Sequence, residues 1–245
     1  MAEVKKTMGK KEAIIDALSS FIQQRRKLLL VVFLIIVAGL AGLIIALQLR
    51  KGKEEVSFVQ LEEVQKSFAQ WMSAMDESDK GGAAADTKTK AADLEKEVTD
   101  KAGVIIAAHR DLYSGIRAQD ILASVLYRKK EYEKAAEAWK ALADSRTAGY
   151  LAPIALCNAA AAWEDAGKPE AAEKSFNEVL ARFSKSFPDI PRVLFSLGRL
   201  AEGRQAYSDA KGFYDRIINE YSASSWTKLA YNRIISLEVQ KKITK

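Results

Sequence analysis

Hydrophobic positions follow two patterns along this chain. The first is continuous: Leu28 to Leu47 is a run of twenty residues without a polar side chain, fifteen of them Leu, Ile, Val or Phe. Wound as a helix it spans about 30 Å, the hydrocarbon thickness of a bilayer. Its transfer into lipid is favourable by roughly −5 to −9 kcal/mol as an upper bound. The second pattern is periodic. From Val56 onward, apolar residues recur every three or four positions with polar residues between them, which predicts amphipathic helices. Strand-and-turn patterns are scarce, and the chain has only four prolines. The expected fold class is therefore all-α.

The apolar run predicts a transmembrane helix over residues 28–49. A core helix of this length normally carries polar residues where it meets solvent. A cleaved signal peptide has a shorter apolar stretch and a small-residue cleavage site, whereas Gln48, Leu49 and Arg50 follow here. Seven Lys and Arg precede the run, and only Arg50, Lys51 and Lys53 follow closely. That asymmetry places the N-terminal tail, residues 1–27, in the cytoplasm and the bulk of the chain across the membrane. In a bacterium with two membranes this means an inner-membrane anchor and a periplasmic domain. Within the run, Ala38, Gly42 and Ala46 repeat every four residues, a spacing that permits close helix–helix packing in lipid. Ahead of it, Ile14, Ile15, Leu18, Phe21 and Ile22 form a stripe that suits either a short helix on the membrane surface or an irregular tail.

From Ile116 a unit recurs. Small residues stand at Ala135, Ala172 and Ala210, spaced by 37 and then 38 positions. Four residues after each come Trp139, Phe176 and Tyr214, and three further on Leu142, Val179 and Ile217. Nine residues before the helix-opening Tyr132, Pro169 and Tyr207 stand Ala123, Ala160 and Gly198. First helices contribute Leu122 and Leu126, Leu156 and Trp163, Leu194 and Leu197.

This register resembles the tetratricopeptide repeat, in which two antiparallel helices make one unit and small residues let them cross closely. The family's period is 34, so the longer spacing here points to longer helices or loops. The resemblance implies an α-solenoid: three repeats over residues 116–225 and a capping helix over 226–245. Trp226, Leu229, Ala230, Ile234 and Leu237 would face inward, with Lys228, Arg233, Lys241 and Lys242 toward water. Residues 50–115 are expected to hold a helix from Val56 to Met75, a flexible loop from Asp76 to Lys90 and a helix from Leu94 to Tyr113, together a degenerate first repeat. A basic tail, one span and a repeat domain together resemble the YfgM-like family of bacterial inner-membrane proteins. That likeness implies partners among translocon subunits and periplasmic folding factors.

Charge changes the picture by exclusion. The net charge is +6, but all of the excess flanks the apolar run, and residues 54–245 sum to −1. A nearly neutral domain lacks the electrostatic footprint of nucleic-acid binding. One histidine, His109, and one cysteine, Cys157, leave little for metal or nucleophilic chemistry. No P-loop, dinucleotide turn or nucleophile elbow occurs. The expectation is a non-enzymatic binding protein that needs no cofactor.

The tetratricopeptide resemblance implies a groove lined by the first helix of each unit. The corresponding positions are Arg117, Asp120, Ser124 and Tyr127; Ile154, Cys157, Ala161 and Glu164; and Arg192, Phe195, Arg199 and Glu202. Chaperone-binding members of that family clamp a terminal carboxylate with Lys and Asn. Asp120, Cys157 and Phe195 stand there instead, so a mixed groove for a protein surface or an extended segment is expected. The alternative is a structural scaffold subunit of a larger envelope or motor-associated assembly, and self-association is open in either case.

Overall fold

The computed structural model describes residues 2–79, 85–145 and 149–244, with side-chain placement for residue 15 and from residue 17 onward within those ranges. Among the described residues it is all-helical: α1 (Ala2–Ser78), α2 (Ala85–His109), α3 (Tyr113–Arg128), α4 (Tyr132–Asp144), α5 (Leu151–Asp165), α6 (Pro169–Phe183), α7 (Ile190–Gly203), α8 (Tyr207–Glu220) and α9 (Ser225–Val239). The chain divides into two compact units, Met1–Glu55 and Val56–Lys245.

The first unit is helical from Ala2, so the stripe ahead of the apolar run belongs to α1 and not to a separate short helix or an irregular tail. Ile15, Leu18, Phe21 and Ile22 are exposed; the side chain of Ile14 lies outside the described residues. Residues 28–49 are exposed throughout. An 18-residue window of this helix has a mean hydropathy of 3.3, and none of it is buried by protein. By length and composition this helix is a candidate membrane anchor or signal segment. Nothing lies within 4 Å of the space above Gly42, so the Ala38, Gly42 and Ala46 face is open.

The second unit stacks helix on helix in chain order, and α9 also reaches α7. Its N-terminal core joins Leu61, Val64 and Trp71 of α1 to Val98, Ala102 and Ile105 of α2 and Ala118, Ile121 and Val125 of α3. Ser67 donates to Glu97 (2.8 Å), and Lys101 pairs with the same carboxylate (2.7 Å). Two boundaries differ from expectation. Residues 76–78 are helical, and α2 begins at Ala85, inside the expected loop; residues 80–84 lie outside the described residues. Tyr113 opens α3 and does not close α2. Val59, an apolar residue of the expected Val56–Met75 helix, is 62% exposed.

Three hairpins follow: α3–α4, α5–α6 and α7–α8. The small residues of the repeating register (Ala123, Ala135, Ala160, Ala172 and Ala210) are fully buried. Trp139, Phe176 and Tyr214 fill the crossings, with Leu142, Val179 and Ile217 beneath them. Small side chains bring the backbones together, and each ring occupies the remaining space. The third crossing is tightest: a Cβ added at Gly198 would stand 2.4 Å from Cε1 of Tyr214.

The turn inside each hairpin also repeats. Lys130, Gly167 and Gln205 have φ of 64°, 72° and 64°. Just beyond them, Glu131, Lys168 and Ala206 donate to the carbonyls of Leu126, Trp163 and Ala201, each at 2.9 Å. This is a Schellman closure, which satisfies the last carbonyls of the first helix while reversing the chain. Lys241 (φ 55°) and the bond from Lys242 to Leu237 end α9 in the same way.

In α9, Ala230, Ile234 and Leu237 face inward as expected and Trp226 is half-buried. Leu229 is 46% exposed, because a residue one position before Ala230 lies about 100° around the helix from that stripe. Tyr231, Ile235 and Val239 are exposed as well, so the outer face is not the polar one expected of a cap.

Candidate protein-binding groove

The first helices of successive hairpins present one row of side chains, and α5, α7 and α9 enclose an open cleft of about 310 Å³ along it. Pro191 at the start of α7 supplies a fixed φ where no hydrogen-bond donor is needed. One helical period later, Phe195 points into the cleft and packs between Tyr214 (5.4 Å between ring centres) and Trp226 (5.2 Å). Phe176, Ala161 and Cys157 complete the apolar floor, while Asn158 and Ser196 offer hydrogen-bonding groups. Six expected groove residues meet here: Arg192, Phe195 and Arg199 of α7 with Cys157, Ala161 and Glu164 of α5.

The charges at the cleft are paired. Arg192 Nε lies 2.8 Å from Asp189, and Arg199 of α7 pairs with Glu164 of α5. Glu202 of α7 repeats that link with Arg233 of α9; Arg233 Nε donates to it at 3.0 Å and Tyr214 OH at 2.6 Å. Burial opposes the charged form of Glu202, but these donors outweigh it and hold its carboxyl below the usual glutamate value. Tyr214 is pushed upward by burial and by that hydrogen bond. Glu202 is therefore a joint between α7, α8 and α9, with its oxygens already engaged.

The remaining expected residues fall elsewhere. Arg117 pairs with Asp120 at 2.5 Å, and Asp120 also accepts from Trp139 Nε1 at 2.8 Å, so this carboxylate holds α4 against α3. Ser124 bonds back to the Asp120 carbonyl at 2.9 Å. Tyr127 donates to Asp165 of α5, and that hydrogen bond, with burial second, pushes the phenol up to about 12. Ile154 lines a separate cleft of about 370 Å³ with Tyr150, Pro153, Phe183 and Phe187. Burial pushes the Cys157 thiol up, with Arg192 opposing it; that state suits packing and not nucleophilic attack. Trp226 was read from the sequence only as part of the inner stripe of a cap. Its role in the groove becomes visible once α9 occupies the place of a further first helix.

Stacked hairpins, the small-to-large register and the repeated turn define a tetratricopeptide-type α-solenoid, a fold class that binds other proteins. The tetratricopeptide repeat family matches residues 122–186 and again 164–225, which span α3 to α8. A TPR repeat-containing protein of Treponema pallidum (strain Nichols) is 29% identical over 130 residues, 53% of this chain and 54% of that one. The chain thus spans about half the length of that relative. A solved Pseudomonas aeruginosa pilF structure aligns with a TM-score of 0.43 and 17% identity, over 67% of this chain and 76% of that one.

Proposed function

We propose that this chain is a membrane-anchored adaptor. Residues 28–49 hold it in the inner membrane of a bacterial cell with the N-terminus in the cytoplasm. The repeat domain binds proteins on the periplasmic side, near the Sec translocon and periplasmic folding factors. The observation that carries the reading is the cleft at Phe195: apolar rings at its floor, neutralised charges at its rim, and free hydrogen-bonding groups at Asn158 and Ser196. Such a surface takes a large apolar side chain on an extended segment and contacts its backbone at the sides. Arg117, Asp120, Tyr127 and Glu202 then act as supports of the groove and not as its contact surface, while Ile154 lines the separate cleft.

A photoreactive amino acid at Ser196, in the full chain in intact cells, tests this against the same group at Lys174, exposed on a second helix. The expected result is adducts with translocon subunits or folding factors from position 196 only. Equal labelling from both positions, or labelling from neither, contradicts the groove reading. Loss of the adducts on Phe195→Ala, with unfolding temperature nearly unchanged, supports it further.

A further inference from the structure

The turn register of the hairpins continues into α9. Lys228, Tyr231, Ile235 and Glu238 stand as far before the left-handed residue Lys241 as Arg192, Phe195, Arg199 and Glu202 stand before Gln205. The α9 row is therefore the next copy of the α7 row, with a cation at its start, an aromatic ring inside it and an acid at its end. Its surroundings differ. In α7 the charges are engaged: Arg192 by Asp189, Arg199 by Glu164, and Glu202 by Arg233 of the following helix. In α9 neither Lys228 nor Glu238 makes an ion pair or hydrogen bond among the described residues. Tyr231 and Ile235 between them are 57% and 42% exposed, and Val239 beside them is exposed as well. The other side of α9, through Ala230, Ile234 and Leu237, packs on α8 and α7.

Spacings of three, four and three residues put this row on one seam of the helix, the pattern by which two helices pack. The seam reads the same when turned end for end. Laid antiparallel on a second α9, Lys228 meets Glu238 of the second copy at both ends, and Tyr231 meets Ile235 of the second copy at the centre. A parallel pair would set lysine against lysine and glutamate against glutamate, which repels. The other cations of this region do not oppose the antiparallel pair. Arg233 lies on the opposite side of the helix from the seam and is bound to Glu202. Lys242 stands over the ring of Tyr207 at 4.7 Å, and Lys241 would fall opposite Ser225 of the second copy.

We infer that α9 pairs antiparallel with α9 of a second copy of this chain, through Lys228, Tyr231, Ile235 and Glu238. The second copy gives Glu238 the cation that α9 gives Glu202 within the chain. A seam of one helix, about 22 Å long, is smaller than a standard interface, so the pair is reversible and concentration-dependent. This goes beyond the adaptor reading and stands whichever protein the groove binds.

The test uses the purified full chain in detergent micelles. A carbodiimide joins a lysine to a carboxylate only where the two touch, with no spacer between them. Lys228 and Glu238 of one α9 are about 15 Å apart along the helix, so an amide between these positions reports a second copy. The expected result is that link, found by peptide mass spectrometry, together with a concentration-dependent species of doubled mass in sedimentation. Ile235→Asn keeps both linking groups and should lower both signals severalfold. Lys228→Glu should lower the doubled species severalfold, and Lys228→Glu combined with Glu238→Lys should restore it, with a link between the same two positions. Unfolding temperature should stay nearly unchanged throughout, since these side chains are exposed or half-buried. A chain that stays monomeric at every concentration overturns the inference. So does a doubled species indifferent to these substitutions, as association through the apolar run would give, or a charge-swapped variant that does not recover.

Discussion

Residues 28–47 and helix α5 are both apolar helices, yet they solve opposite problems. The run from Leu28 carries large side chains around its whole circumference and buries none of them. In α5, alanine dominates, and Ala155, Leu156, Cys157, Ala159, Ala160 and Ala162 are all buried between neighbours. A helix that is to be surrounded by protein needs small residues so that other backbones can approach, whereas one surrounded by lipid needs bulk and length. Hydrophobicity alone does not separate the two, but side-chain size together with period does.

Truncations break this contrast most strongly. Leu194→Ala removes a fully buried side chain from the solenoid and should cost about 2–5 kcal/mol. Leu34→Ala, in the apolar run, should leave domain unfolding unchanged. Thermal unfolding of both full-chain variants in detergent, followed by circular dichroism, checks the pair. Crowding comes next. Alanine is the better helix former, yet Gly198→Ala meets the rigid ring of Tyr214 and should destabilise the solenoid by about 1–3 kcal/mol. Gly42→Ala meets nothing and should be neutral, so equal melting of the two variants would refute the close crossing of α7 and α8.

Acid sharpens the comparison further. Glu202 titrates below the usual glutamate value, so its link to α9 contributes stability that is fully present above about pH 4.5 and is lost as pH falls through its lower folded value. Hydrogen exchange across that window should show α9 losing protection, while residues 28–49, which carry no acidic group, keep theirs. The smallest effect concerns the repeated turn. Lys130→Gly and Gln205→Gly relieve left-handed φ values and should gain up to about 1 kcal/mol each, reduced by the added freedom of the unfolded chain. Chemical denaturation reads the gain directly, and a loss at both sites would contradict the shared closure.

The repeat register was legible because crossing geometry forces residue size. Ala160 opposite Phe176 and Gly198 opposite Tyr214 can be seen in the sequence without coordinates. The stretch from Asp76 to Lys90 was legible only in part: its glycines suggested a loop, whereas residues 76–78 and 85–90 are helical and residues 80–84 lie outside the described residues. The groove was half legible. The tetratricopeptide resemblance mapped Arg192, Phe195 and Arg199 to groove positions, and all three line the cleft between α5, α7 and α9. Period could not show that Asp120 is engaged by Trp139, or Glu202 by Tyr214 and Arg233, since those partners lie on other helices. Trp226 was hidden for the same reason, as its groove role depends on where α9 stacks.

The central claim is that one apolar stretch belongs to lipid and the others to protein. The most direct measurement is photolabelling of the full chain in native membranes, using a lipid with its reactive group at the end of an acyl chain, with the adducts mapped by peptide mass spectrometry. Adducts concentrated in residues 28–47, and none in α5 or α7, are the expected result. An unlabelled run from Leu28, or labelling spread evenly through the buried solenoid helices, would contradict it.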